Sequence, residues 1–92
     1  MRTSLRTHEH QVLIRLLRDQ RRATKLTQQE VADRLGTPQS YVAKYEGAER
    51  RIDVLEFLAI TRALDADPLT LFRALVGELD HAERERVARG GS

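Results

Sequence analysis

The chain has 92 residues, enough for one compact domain with a modest core. Apolar residues make up 40% and charged residues 33%, which excludes wholesale disorder, and the lack of cysteine excludes disulfides and thiolate metal sites. Sixteen basic residues against fourteen acidic ones leave a formal charge of +2, too small by itself to name a partner.

Distribution is more informative than the total. Arg15, Arg18, Arg21, Arg22 and Lys25 crowd one stretch, Lys44, Arg50 and Arg51 another, and acids gather between Asp53 and Glu85. No apolar run has the length of a secretory signal or a membrane span, so a cytoplasmic protein without membrane contact is expected.

Residues 1–8 read as a polar, flexible arm, residues 9–80 as the folded domain and residues 81–92 as a polar tail. A first helix is expected over residues 9–23, with Leu13, Leu16, Leu17 and Gln20 on one face. Thr27 then acts as an N-cap, and Glu30 three residues on completes a capping box that opens helix two. Val31, Ala32 and Leu35 supply its buried stripe, and Gly36 provides the left-handed exit. Thr37 and Pro38 repeat the start signal at once, so a third helix is expected over residues 37–45, capped by Thr37 and ending near Gly47. Asp53 with Glu56 opens a fourth helix to about Leu64, with Val54, Leu55, Phe57, Leu58 and Ile60 as its apolar stock. Asp67 and Pro68 open a fifth, whose Leu69, Leu71, Phe72, Leu75, Val76 and Leu79 form a stripe wider than one buried face needs. The expected fold is an all-α, compact five-helix bundle.

Two short helices joined around a glycine are the sequence form of a helix-turn-helix, whose second helix can lie in a DNA major groove. At about 100° per residue, Pro38, Val42 and Tyr45 share one side of helix three, while Ser40, Ala43 and Lys44 share the opposite side. Gln39 flanks that outward set in the first turn. Its amide can pair with adenine N6 and N7, Lys44 can donate to guanine O6 and N7, and Ala43 can touch a thymine methyl.

At these residues the chain resembles the phage-repressor-like helix-turn-helix, or XRE, family. The resemblance is carried by Leu26-Thr27-Gln28-Gln29-Glu30-Val31-Ala32-Asp33-Arg34-Leu35-Gly36 and by Gln39-Ser40-Tyr41-Val42-Ala43-Lys44-Tyr45-Glu46, and it runs from about Leu13 to Leu64. It implies that Gln28 grips a backbone phosphate and braces Gln39, that Gln39, Ser40 and Lys44 read bases, and that Arg21 and Glu46 bridge helix one to the end of helix three. Two departures stand out. Family members usually carry glycine two residues after the glutamate, where this chain has Ala48, and proline is common where Ile52 stands.

The function expected from this pattern is a sequence-specific double-stranded-DNA-binding transcription regulator, a repressor, reading the major groove with helix three. Gln28, Arg18, Arg21, Arg22, Lys25, Arg50 and Arg51 are the candidate phosphate contacts, which add salt-dependent affinity without reading sequence. Arg2 and Arg6 fit either a solvated arm or a reach into a neighbouring groove. A homodimer on a palindromic operator is expected, with Leu71, Phe72, Leu75 and Leu79 as the dimer contact or else as completion of the monomer core. The competing expectation is a protein-interaction module, such as an antitoxin or bridging component, with a partner protein. No enzyme, cofactor or metal site is expected: His8 and His10 bracket Glu9, but residues two apart diverge on a helix, the segment belongs to the mobile lead around the end of the arm, and His81 is isolated.

Overall fold

A computed structural model describes residues 7–88. Most of the expected arm, with Arg2 and Arg6, and the last four residues lie outside them. Five helices, α1 (His8–Ala23), α2 (Gln28–Leu35), α3 (Gln39–Glu46), α4 (Val54–Ala63) and α5 (Pro68–Ala88), account for the regular structure of the described residues. Helix α2 packs on α3 and α4, and α1 lies between α3 and α5, with α5 also closing on α4.

Each helix begins on a local signal. Thr7 caps α1 by accepting from the His10 amide at 3.2 Å, so the helix starts at His8, inside the segment read as an arm. Thr27 with Glu30 and Asp53 with Glu56 both form reciprocal capping boxes, as their spacing requires. Asp67 accepts from the amide and hydroxyl of Thr70 at the start of α5. That helix continues to Ala88, through most of the segment read as a tail.

Helix α3 departs from expectation at its start. Thr37 is not its cap: Pro38 holds that place, without a side-chain bond, and α3 begins at Gln39. The Thr37 amide instead donates to the Ala32 carbonyl at 3.0 Å, while the Gly36 amide donates to Asp33. This pair of bonds is a Schellman closure of α2, made possible by Gly36 at φ 71°. Thr37 therefore ends one helix rather than starting the next, and its hydroxyl is buried.

The same closure ends α1 and α4 and follows α3. Leu26 donates to Arg21, Glu49 to Lys44 and Ala66 to Thr61, with Lys25, Ala48 and Asp65 in the left-handed region at φ 60°, 59° and 57°. Ala48 thus adopts the conformation for which glycine is the usual choice, and the chain leaves α3 by the same kind of turn.

The core is built from Ile14, Leu17, Val31, Val42, Tyr45, Ile60 and Leu64, with Leu71 closing it from α5. On α1 the buried residues are His10, Val12, Ile14 and Leu17, whereas Leu13 and Leu16 are only half-buried. The reason is that α1 meets α3 on one side and α5 on the other, so its buried surface is broader than a single leucine stripe.

Candidate nucleic-acid interface

Helices α2 and α3 are separated by only three residues, and Val42 and Tyr45 anchor α3 by complete burial. That anchoring turns Gln39, Ser40 and Lys44 outward, all exposed, with Ala43 half-buried beside them. The residues expected to face bases therefore share one accessible surface.

Behind that surface runs a continuous chain of side-chain bonds. The Arg21 Nε and Nη2 atoms donate to the two carboxylate oxygens of Glu46 at 2.6 and 3.0 Å, and Nη1 donates to the Leu26 carbonyl at 2.8 Å. Gln28 Nε2 donates to Glu46 Oε1 at 3.0 Å, and Gln39 Nε2 donates to Gln28 Oε1 at 2.8 Å. The side chains of Arg21 and Glu46 are only 13% and 4% exposed, so this ion pair acts at low effective dielectric. Its hydrogen bond raises the Arg21 pKa above the ordinary guanidinium range. Gln39 is thereby held at the end of a relay rooted in the core, with its amide oxygen uninvolved in the link to Gln28.

The relay removes Arg21 from the expected phosphate contacts, because its guanidinium is turned inward and engaged at three donors. Arg18 is half-buried, with its Nε shielded, in a pocket beside Glu46, Gly47 and Ala48. Arg22 and Lys25 are exposed at the end of α1, and Gln28 stands at the first position of α2. There the amides of residues 28 and 29 lie in the turn that has no intrahelical acceptor. Sequence position had grouped all these cations together; helix orientation separates them.

Arg50 is held in place by Tyr41, a residue the sequence analysis left unassigned. Its guanidinium lies 4.7 Å from the Tyr41 ring centroid and 2.8 Å from Glu56, and it donates to the Arg51 carbonyl. The Tyr41 hydroxyl donates to the same Glu56 carboxylate at 2.8 Å. Burial, followed by the Glu56 hydrogen bond, pushes the Tyr41 pKa up to about 12. The Asp53 amide, chiefly, together with Tyr41 and Arg50, holds the Glu56 carboxyl below its usual range. Arg51 is exposed and Ile52 packs half-buried on the core, so the loop is anchored without the family's proline. An aromatic in the outward helix four residues before another, ahead of a basic loop, was the signal available for Tyr41.

The model of the helix-turn-helix domain family matches residues 13–75. The chain belongs to the helix-turn-helix family. Its type follows from an XRE-family like protein from Pseudomonas syringae pv. tomato, 46% identical, which superposes with a TM-score of 0.74 over 76% of this chain and 85% of that one. The restriction-modification controller protein C.AhdI from Aeromonas hydrophila is 29% identical, with a TM-score of 0.65 over 71% and 98% of the two chains. A second controller, C.Esp1396I, solved as a tetramer with its natural 35-base-pair operator, shares the fold at 17% identity and a TM-score of 0.72, over 78% and 95%. No curated protein matches the chain. The protein is thus an XRE-type helix-turn-helix regulator, and the relay lies within the part that its family defines.

This helix-turn-helix protein also exposes an apolar face away from α3. Leu71 is a core residue at 9% exposure, the second of its two expected roles, whereas its neighbour Phe72 is 53% exposed, and Leu75 and Leu79 are half-buried. Val54 and Leu55, part of the apolar stock of α4, are 74% and 75% exposed, and Leu69 and Val76 of α5 are exposed as well. Phe72 meets Phe57 edge-on at 6.2 Å, and both line an apolar cavity of about 150 Å³ with Leu13, Ile52, Val54 and Leu75. His10 is buried rather than lying in a mobile lead, and among the described residues no three His, Asp or Glu side chains gather as a metal site. No described helix is long and apolar enough to cross a membrane.

Proposed function

We propose that this regulator binds double-stranded DNA sequence-specifically, as a cytoplasmic repressor that reads the major groove with α3. Gln39, Ser40 and Lys44 contact base edges, and Ala43 permits close approach or meets a thymine methyl. Gln28, Arg22, Lys25, Arg50 and Arg51 contact phosphates and set the docking angle. The observation that carries this reading is the relay from Arg21 through Glu46 and Gln28 to Gln39. A solvated surface glutamine needs no such bracing; one that must present its amide to a base edge gains from being oriented beforehand, because less side-chain freedom is lost on binding.

Two copies bind a palindromic operator, with recognition helices about 34 Å apart. The exposed face of Val54, Leu55, Leu69, Phe72 and Val76 is the proposed dimer contact, which keeps Phe72 of the expected set Leu71, Phe72, Leu75 and Leu79 and leaves buried Leu71 out. Oligomeric operator binding by the structurally similar controller C.Esp1396I supports this assembly.

Selection of bound duplexes from random DNA is the direct test. It should return a two-fold symmetric motif, and Gln39→Ala should relax one base pair per half-site by about 1–3 kcal/mol. An unchanged motif in Gln39→Ala would sink the reading mechanism. Failure to bind any duplex, combined with tight binding to another protein through the apolar face, would favour the interaction-module alternative.

A further inference from the structure

A pocket of about 520 Å³ opens between the first half of α1 and the end of α3, bordered by Gln11, Arg15, Arg18, Glu46, Gly47 and Ala48. Its charged groups differ in their commitments. Glu46 is held at both oxygens by Arg21 and at one of them by Gln28. Arg15 pairs with Glu78 and, at 3.5 Å, with Asp19. Arg18 makes no ion pair among the described residues, and its Nε is shielded from solvent without an acceptor.

The surroundings of Arg18 sharpen this imbalance. On a helix its neighbours stand three and four residues away, and here those are Ile14, Arg15, Arg21 and Arg22, three of the four cationic. Arg15 and Arg21 use the nearby carboxylates, so the half-buried Arg18 guanidinium has no counter-ion of its own, and its planar donor fork fits an oxyanion. The pocket beside it has the size of a small-ligand site.

We propose that this pocket binds a small free oxyanion, a phosphate or carboxylate group, through the Arg18 guanidinium. The site is separate from base reading, although it shares the Glu46 wall with the relay behind Gln39. Any dissolved phosphate- or carboxylate-bearing metabolite that fits the pocket is a candidate occupant.

The test uses the full ¹⁵N-labelled chain without DNA, titrated with inorganic phosphate at ionic strength matched with chloride. The Arg18 Nε–H resonance and the Gly47 and Ala48 amides should shift saturably. Arg18→Gln should weaken the phosphate affinity by about tenfold or more, and Arg18→Lys should retain part of it. Sulfate should displace phosphate from the parent protein, a measurement that needs no variant. Three results overturn the proposal: shifts that do not saturate, shifts unchanged in Arg18→Gln, or an Arg18 response that appears only with duplex DNA, which would return the residue to backbone contact.

Discussion

Around α3, a connected set of polar side chains is matched to partners: Arg21 to Glu46, Glu46 to Gln28, Gln28 to Gln39, and Tyr41 with Arg50 to Glu56, whereas the buried hydroxyls of Thr37 and Tyr45 make no hydrogen bond. Across the outer side of α4 and α5 the pattern is reversed, and Val54, Leu55, Leu69, Phe72 and Val76 carry apolar surface into water. The first arrangement is directional and leaves each side chain one orientation. The second is adaptable, since apolar contact is non-directional and gains only when another surface arrives. The bundle thus combines a hydrogen-bonded polar surface on α3 with an exposed apolar surface on α4 and α5.

The strongest challenge to that contrast is Glu46→Gln. It leaves the Arg21 charge inside the fold without its counter-ion, and urea unfolding should show a loss of about 3 kcal/mol. Leu55→Ser, on the apolar face, should stay within about 0.5 kcal/mol when measured at concentrations where the protein is monomeric. Comparable losses in the two variants would erase the distinction.

Next in size is Phe72→Asp. If the apolar face joins two copies, this change should weaken self-association by about 2 kcal/mol, roughly thirtyfold, while leaving the helical signal intact. Sedimentation should then show the 10.6 kDa monomer at concentrations where the parent is dimeric. A monomeric parent at every concentration would instead leave the face to a different protein.

A smaller effect tests the exit of α3. Ala48 sits at φ 59° with the closing bonds already made, so Ala48→Gly should stabilise the fold by about 1 kcal/mol without altering the preferred DNA motif. An altered motif would mean that the strained turn itself sets the angle of α3.

The smallest signal lies in the brace for Arg50. The folded pKa of Tyr41, about 12, exceeds the ordinary tyrosine value of 10.0, so its contribution to stability is complete below pH 10 and is lost as pH rises toward 12. Burial raises Tyr45 as well. Ultraviolet titration of these two tyrosines, the only ones in the chain, should show no tyrosinate step near pH 10. A step there would show Tyr41 detached from Glu56.

How much of this was legible in advance follows the distance over which each interaction acts. The capping boxes at Thr27 and Asp53 depend on residues three apart, and the outward set Gln39, Ser40 and Lys44 depends on helical periodicity plus two anchors in the same turn pair. The link between Arg21 and Glu46 spans 25 residues and was reachable only through family resemblance. Thr37 misled because a hydroxyl before a proline is a good cap in isolation, yet its amide was already needed to close α2. The left-handed backbone at Lys25 had no signal in the sequence and that at Asp65 only a weak one, while at Ala48 the family's usual glycine was the single pointer to it.

The sequence by itself determined the five helices, their main start signals and the polar side of α3, because these follow from local hydrogen bonding and the helical period. Only the tertiary structure decided that Arg21 turns inward and Arg18 is half-buried beside a pocket while Arg22 and Lys25 stay outside, and that Leu71 is buried while Phe72 beside it is not. Those choices depend on which helix packs against which side of its neighbour. Adjacent residues on one helix point about 100° apart, so that packing separates side chains the linear sequence presents as equivalent.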